Sequence, residues 1–90
     1  MSWKNFCILA QYTLAASNKE CSGSEISKGC LSTVDECAAA CVGESSMFIF
    51  KPCGCYCEVS SVGGVCEEEI DIIGDYKLYR YASEYKSFIF

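Results

Sequence analysis

The clearest pattern of apolar and polar positions in the chain is that of a short amphipathic helix. Thr33, followed three residues later by Glu36, forms a capping box, which satisfies free backbone N–H groups at a helix start. Gly43 stands where the left-handed residue past a helix end is expected. One helical face would carry Val34, Cys37, Ala38 and Cys41. The pattern therefore predicts a helix over residues 34–42.

Two short strands follow this helix in the sequence and are expected to form a hairpin. Residues 47–50 are an uninterrupted apolar run, and residues 51–54 contain Pro and Gly, which are typical of turns. The side chains then alternate, with Cys55, Cys57 and Val59 on one face of a strand and Tyr56 and Glu58 on the other. We expect this hairpin to pack against the helix.

The other segments carry weaker patterns. Residues 18–32 are rich in Ser, Gly and Lys and are predicted to be a loop. The isoleucines of residues 70–73 predict a buried fragment of undetermined type, and the alternating aromatics of residues 76–81 predict a strand. Alternation in residues 6–16 favours a strand, although its start also resembles a short signal peptide. A second apolar segment, residues 85–90, closes the chain.

Cysteine is the strongest signal in the composition. Nine of the 90 residues are cysteine, a density typical of disulfide scaffolds and of oxidising compartments. A chain of this length buries only a modest core, which disulfides can reinforce. Because nine is odd, at least one cysteine is expected to be a free thiol or to bond another molecule. We therefore predict a secreted or otherwise extracellular protein.

The spacing of four of these cysteines predicts how the helix is held to the hairpin. Cys37 and Cys41 are one helical turn apart, a rise of about 6 Å. Cys55 and Cys57 are two strand residues apart, about 6.6 Å. Both pairs present their sulfurs on one face at nearly the same spacing. Two side-by-side disulfides between one helix and one strand are therefore expected.

Charge and hydropathy exclude several classes of partner. The net charge is −5 and the seven Lys and Arg residues are scattered, so neither nucleic acid nor a sulfated polysaccharide is expected to bind. The chain contains no run of 18 apolar residues, so no transmembrane segment is predicted.

Metal binding and catalysis are not expected either, and no cofactor is predicted. The chain has no histidine and no pair of cysteines with two residues between them, so we expect disulfides rather than a thiolate cluster in the dense segment 53–57. No base is placed to activate a cysteine nucleophile. The acidic residues in 67–75 match no calcium-loop spacing and are predicted to be a solvated loop.

Taken together, these motifs resemble the PAN/apple domain. The resemblance rests on the helix with Cys37 and Cys41, on residues 47–50 and 55–58, and on residues 76–80. It implies an α+β fold in which a small antiparallel β-sheet packs on one α-helix, in an extracellular module that binds proteins or carbohydrates without catalysis. The implied single domain spans residues 1–90, with its core at about 18–81 and flanking apolar strands at 6–16 and 85–90.

The resemblance also bears on the remaining cysteines. Many family members have a cysteine just before the aromatic strand, where this chain has Ser45 and Ser46. In this chain Cys55 and Cys57 would supply the disulfide partners of the two helix cysteines instead. Cys21 and Cys66 are the expected third pair. The candidates for a free or intermolecular cysteine are then Cys7, Cys30 and Cys53.

Aromatic side chains crowd the end of the chain and suggest an interaction surface, with simple packing across the strand as the alternative. Tyr76 and Leu78 would lie on one face of the strand, and Tyr79 and Tyr81 on the other. One face is expected to be core and the other to meet a partner. The candidate surface comprises Tyr76, Tyr79, Tyr81, Tyr85, Phe88 and Phe90.

The two apolar ends and the odd cysteine favour self-association. We expect a non-enzymatic, secreted module that assembles with other copies of itself as a structural subunit of an extracellular assembly or fibre. The alternative is a monomeric adhesion or recognition module that binds a carbohydrate or a protein receptor. A small secreted toxin or inhibitor fits the cysteine density, but the long apolar ends make it less attractive.

Overall fold

The computed structural model describes residues 11–82 and shows a disulfide-rich α+β fold. In chain order its elements are β1 (Tyr12–Ser17), β2 (Lys19–Cys21), β3 (Ile26–Gly29), α1 (Val34–Cys41), β4 (Met47–Lys51), β5 (Gly54–Cys57), β6 (Glu69–Asp71) and β7 (Lys77–Tyr81). Five strands form an antiparallel sheet in the order β1-β7-β4-β5-β3, while β2 and β6 form a separate pair. The predicted antiparallel sheet with one helix is therefore present.

Helix α1 begins and ends close to the predicted positions. Thr33 is its N-cap and forms the full capping box with Glu36, whose carboxylate accepts from the Thr33 N–H. The helix ends at Cys41, and Gly43 has the expected left-handed φ of 84°. Its buried side chains are Cys37, Ala38 and Cys41. In the described part of the chain, no helix is long and apolar enough to cross a membrane.

The predicted hairpin is also present, formed by β4 and β5. Phe50 lies opposite Cys55, and Lys51 lies opposite Gly54 across the turn. The positive φ in this turn, 56°, belongs to Cys53 rather than to the glycine. A Cβ at the buried Gly54 would lie 2.7 Å from the Lys51 side chain, so a larger residue there would require that side chain to shift.

Both faces of the five-stranded sheet are covered by apolar clusters. Beneath α1 lies the helix-side core, which consists of Cys37, Ala38, Cys41, Phe48, Cys55 and Cys57. On the other face lies the opposite-face core, which consists of Cys21, Met47, Ile49, Cys66 and Leu78. Three consecutive β4 residues, from Met47 to Ile49, are consequently fully buried.

Two segments differ from the prediction. Residues 18–32 are not simply a loop, because they contain β2 and β3, whose three and four residues are too short to show a clear period. The expectation that residues 70–73 are buried is wrong, since Ile70 is 41% and Ile73 97% exposed. Strand β6 belongs to a two-stranded sheet and, within residues 11–82, pairs only with β2.

Candidate functional site

Two disulfides join α1 to β5 side by side, as the spacing of their cysteines predicts. Cys37 bonds Cys55 and Cys41 bonds Cys57, with Cα–Cα distances of 5.6 and 5.3 Å. All four residues are fully buried in the helix-side core. These sulfurs therefore hold the fold and are not available as thiolates for a metal or for catalysis.

The other two disulfides fix the margins of the domain. Cys21 bonds Cys66 and ties β2 to the segment before β6. Cys30 bonds Cys53 at a Cα–Cα distance of 4.1 Å, which corrects the expectation that either is an unpaired cysteine. The physical reason is strand pairing: Gly29 lies opposite Cys55, so the end of β3 meets the β4–β5 turn. The polar segment 18–32 gave no indication of β3.

The remaining candidate for an intermolecular bond, Cys7, lies outside the described residues. The eight cysteines within residues 11–82 all bond one another. Because the chain has nine, no other cysteine among its 90 residues is left for Cys7.

Tyrosines of β7 and β1 form an aromatic cluster beneath α1. The rings of Tyr79 and Tyr81 lie 5.2 and 5.1 Å from that of Phe48, and Tyr12 lies 5.5 Å from it. The Tyr81 hydroxyl donates to a helix carbonyl, and the Tyr12 hydroxyl donates to Asp35 in the first helical turn. Burial, and then the Asp35 carboxylate, raise the pKa of Tyr12 to about 12. These rings hold the helix on the sheet.

Side chains on both faces of β7 pack on the two core clusters. Tyr79 and Tyr81 pack on the helix-side core, while Leu78 and Tyr76 pack in or against the opposite-face core. The face assignments themselves agree with the sequence pattern. The other members of the candidate surface, Tyr85, Phe88 and Phe90, lie outside the described residues, and a role in binding for the six aromatics stays a prediction.

The two apolar flanks of the chain are attached to the domain at neighbouring points. Strands β1 and β7 are antiparallel, with Tyr12 opposite Tyr81. One residue further out, the Ala82 N–H donates to the Gln11 carbonyl over 2.8 Å. Residues 1–10 and 83–90 therefore join the domain side by side, at one end of its outer strand pair.

An open cleft of about 290 Å³ lies beside the β4–β5 turn. Its lining combines apolar side chains such as Leu31 and Phe50 with the charged groups of Asp75 and Lys77, which are 3.1 Å apart. Lys51 also lines it and places its ammonium 5.1 Å from the centroid of the Tyr76 ring. The cleft therefore places aromatic, apolar and charged groups together.

The structure also brings together three carboxylates that the sequence pattern did not single out. Glu20, Glu25 and Glu58 place carboxylate oxygens within 4.8 Å of one another. The helix and the hairpin separate Glu58 from the other two in sequence, so no local motif marks the group. In the sequence, the one sign of this group is that two of the glutamates adjoin cysteines: Glu20 precedes Cys21 and Glu58 follows Cys57. The disulfides of these cysteines fix the backbone beside the glutamates.

Comparisons of the chain with family models, with curated proteins and with solved structures found no match. The function must therefore be inferred from the chain's own residues and their geometry.

Proposed function

We propose that this chain is a secreted, non-enzymatic module of the PAN/apple type that self-associates as a structural subunit of an extracellular assembly or fibre. The order of helix, hairpin and final strand supports the family proposal, as do the two helix-to-strand disulfides. Four disulfides in so short a chain support an oxidising, extracellular location.

The observation that carries self-association is the hydrogen bond from Ala82 to Gln11. It places the attachment points of two apolar segments, residues 6–10 and 85–90, at one end of the β1–β7 pair. The second segment alone contains Tyr85, Phe88 and Phe90. Apolar side chains concentrated at one place on a small module favour association with another copy.

The edge of the sheet at the same place offers backbone groups for such an association. Strand β1 is the outermost strand of the described sheet and pairs only with β7 within residues 11–82. Leu14 on this strand is 53% exposed. An unpaired edge accepts a strand from another molecule by main-chain hydrogen bonds. If each copy donates a segment to the next, the contacts form an open chain of subunits.

Cys7 can link copies covalently in pairs, through a second contact in which the Cys7 of one copy bonds the Cys7 of another. It precedes β1 by a few residues in the sequence, and the other eight cysteines are bonded to one another. In an oxidising compartment a thiol at a contact between identical copies forms an interchain disulfide. Replacing Cys7 by serine would remove this link and leave the four intrachain disulfides in place.

Size-exclusion chromatography with light scattering tests this proposal. The native chain is expected to elute as species larger than the 9.9 kDa monomer, with a mass that rises with concentration. Replacing Phe88 and Phe90 by serine should reduce the mass toward that of the monomer. The control, Ile73→Ser, changes an apolar side chain that is 97% exposed on the β6–β7 connection and should leave assembly unchanged.

The decisive contrary result is a wild-type chain that remains a monomer at every concentration and carries one alkylatable thiol. Equal loss of assembly in the Ile73→Ser control would also contradict the role given to residues 85–90, since it would point to general surface hydrophobicity.

The cleft beside the β4–β5 turn supports a second candidate function, recognition of a carbohydrate or a protein receptor. Its Asp75 carboxylate is exposed and pairs with Lys77 beside an apolar floor. A glycan and receptor array probed with wild type and with Asp75→Asn would test it. Loss of ligand binding in Asp75→Asn with assembly intact favours recognition. Unchanged binding in Asp75→Asn, with Glu67→Gln as the charge-matched control, argues against this cleft.

A further inference from the structure

Three glutamates from different parts of the fold meet beside the Cys21–Cys66 disulfide. Glu20 lies in β2, Glu25 in the β2–β3 loop and Glu58 directly after β5. Their carboxylate oxygens lie within 4.8 Å of one another. We call these residues the acidic triad. Because Glu20 adjoins Cys21 and Glu58 adjoins Cys57, two disulfides hold two of its members in place.

The loop that carries Glu25 is also held in place, by close packing. The Ser60 hydroxyl donates to the Ser22 carbonyl over 2.7 Å. Gly23 adopts a φ of 99°, and a Cβ there would lie 2.7 Å from the Ser60 Oγ. No other residue type fits this position without moving the loop. The triad is therefore built on constrained backbone.

Glu58 is the unusual member of the triad, because its side chain is completely buried. Its Oε2 accepts a hydrogen bond from the Cys21 N–H over 3.0 Å. Its Oε1 is buried too, yet no donor in residues 11–82 bonds it. A buried carboxylate oxygen without a partner costs free energy, and the observation therefore points to a positively charged ligand.

The basic side chains seen in salt bridges are engaged elsewhere. Within the described part of the chain, these pairs are Lys19 with Asp71, Lys28 with Glu44 and Lys77 with Asp75. None of them includes a member of the triad. Burial, and then the neighbouring carboxylates, raise the pKa of Glu58 to about 8 and also raise the pKa of Glu20. Among the salt bridges within residues 11–82, none therefore balances the charge of the triad.

We propose that the acidic triad binds a calcium ion. Every ligand atom that the triad offers is a carboxylate oxygen. Calcium binds oxygen ligands, whereas zinc sites are built mainly from histidine nitrogen and cysteine sulfur. Two oxygens bound to Ca²⁺ at about 2.3–2.6 Å can be up to about 5 Å apart. The oxygen separations in the triad fall within that limit. The proposal goes beyond self-association and does not depend on it.

The competing occupant of the triad is a proton shared between Glu58 and Glu25. Both a proton and a calcium ion would relieve the repulsion among the three carboxylates. They differ in one measurable respect, since binding of calcium must displace the proton. The affinity for calcium is therefore expected to rise with pH, by up to about tenfold per pH unit while Glu58 is protonated.

Titration calorimetry of the full, oxidised chain with calcium chloride after treatment with a chelator tests the proposal. We expect one saturable site, a heat that varies with the ionisation enthalpy of the buffer because protons are released, and stronger binding at pH 7.5 than at pH 6.5. Glu58→Gln and Glu25→Gln should each weaken binding at least tenfold. Glu67→Gln makes the same substitution at an exposed position and should stay within twofold of wild type.

Thermal unfolding of the same variants separates loss of the site from loss of the fold. Calcium should raise the melting temperature of wild type and of Glu67→Gln but not of Glu25→Gln, whose side chain is exposed and whose fold should survive. Absence of heat and of any melting shift at 10 mM calcium in wild type would overturn the proposal. Equal affinity in Glu25→Gln, Glu58→Gln and Glu67→Gln would overturn it as well.

Discussion

The hydroxyl of Tyr81, on β7, donates a hydrogen bond to the backbone carbonyl of Ala38, in the middle of α1. The final strand of the described domain thereby contacts the helix directly, in addition to the disulfides that join the helix to β5. Strand β7 is therefore part of the structural core, and its tyrosine side chains help to hold the helix on the sheet.

Tyr81→Phe should destabilise the fold by about 1 kcal/mol, because it removes this hydrogen bond and keeps the ring. The matched control is Tyr79→Phe, which lies in the same aromatic cluster and for whose hydroxyl no hydrogen bond is seen within residues 11–82. It should change stability by less than about 0.5 kcal/mol. Guanidinium unfolding followed by circular dichroism, with the disulfides intact, measures both. Equal effects would show that the hydrogen bond contributes nothing.

Tyr12 should ionise only at high pH. Burial and the adjacent Asp35 raise its pKa from 10.0 to about 12. Because the folded pKa lies above the unfolded one, its contribution to stability is complete below pH 10 and is lost as the pH rises toward 12. A titration of tyrosinate absorbance should show a late phase that is missing in Tyr12→Phe. A difference between the two titrations confined to pH near 10 would contradict this.

Glu58 should make stability decline as the pH rises in calcium-free buffer. Its carboxyl faces Glu20 and Glu25, and burial raises its pKa from 4.5 to about 8. Because the folded pKa lies above the unfolded one, the contribution of Glu58 to the free energy of unfolding is greatest below pH 4.5. It falls as the pH rises from 4.5 to 8, by no more than about 1.4 kcal/mol per pH unit. Glu58→Gln should flatten this part of the profile. A wild-type stability that rises steadily over the same range would contradict the prediction.

The two classes of disulfide should differ in their contribution to stability. Cys30→Ala with Cys53→Ala removes an exposed bridge, and on the chain-entropy model costs about 3 kcal/mol. Cys37→Ala with Cys55→Ala opens a loop of similar length but also removes two buried sulfurs from the core. We expect it to cost about 1–2 kcal/mol more. Denaturant midpoints that rank in the reverse order would show that burial of the sulfurs is unimportant.

The parts of the fold that the sequence predicted are those in which local chemistry decides the structure. The capping box of Thr33 and Glu36 sets the helix start, and Gly43 permits the left-handed residue after its end. The spacing of the helix cysteines matches that of Cys55 and Cys57 because one helical turn and two strand residues have nearly equal rise. These signals need no knowledge of the rest of the chain.

The parts that were missed depend on contacts distant in sequence. Strands β2 and β6 have three residues each and are defined by each other rather than by their own pattern. The Cys30–Cys53 disulfide follows from the pairing of β3 with β5. In the sequence, Glu58 continues the alternation of β5 and would be expected to point to solvent. Its side chain is buried because Cys21, distant in sequence, packs against that face of the strand and donates its N–H to the Glu58 carboxylate. The acidic triad could not be predicted for the same reason.

Peptide mapping of the unreduced protein tests the central claim most directly. Digestion under conditions that block disulfide exchange should yield four intrachain bonds, Cys21–Cys66, Cys30–Cys53, Cys37–Cys55 and Cys41–Cys57. It should also yield a Cys7–Cys7 peptide, which only two chains can provide and which Cys7→Ser should abolish. A monomer in which Cys7 is alkylated, or in which Cys7 is bonded to one of the other eight cysteines, would contradict the account.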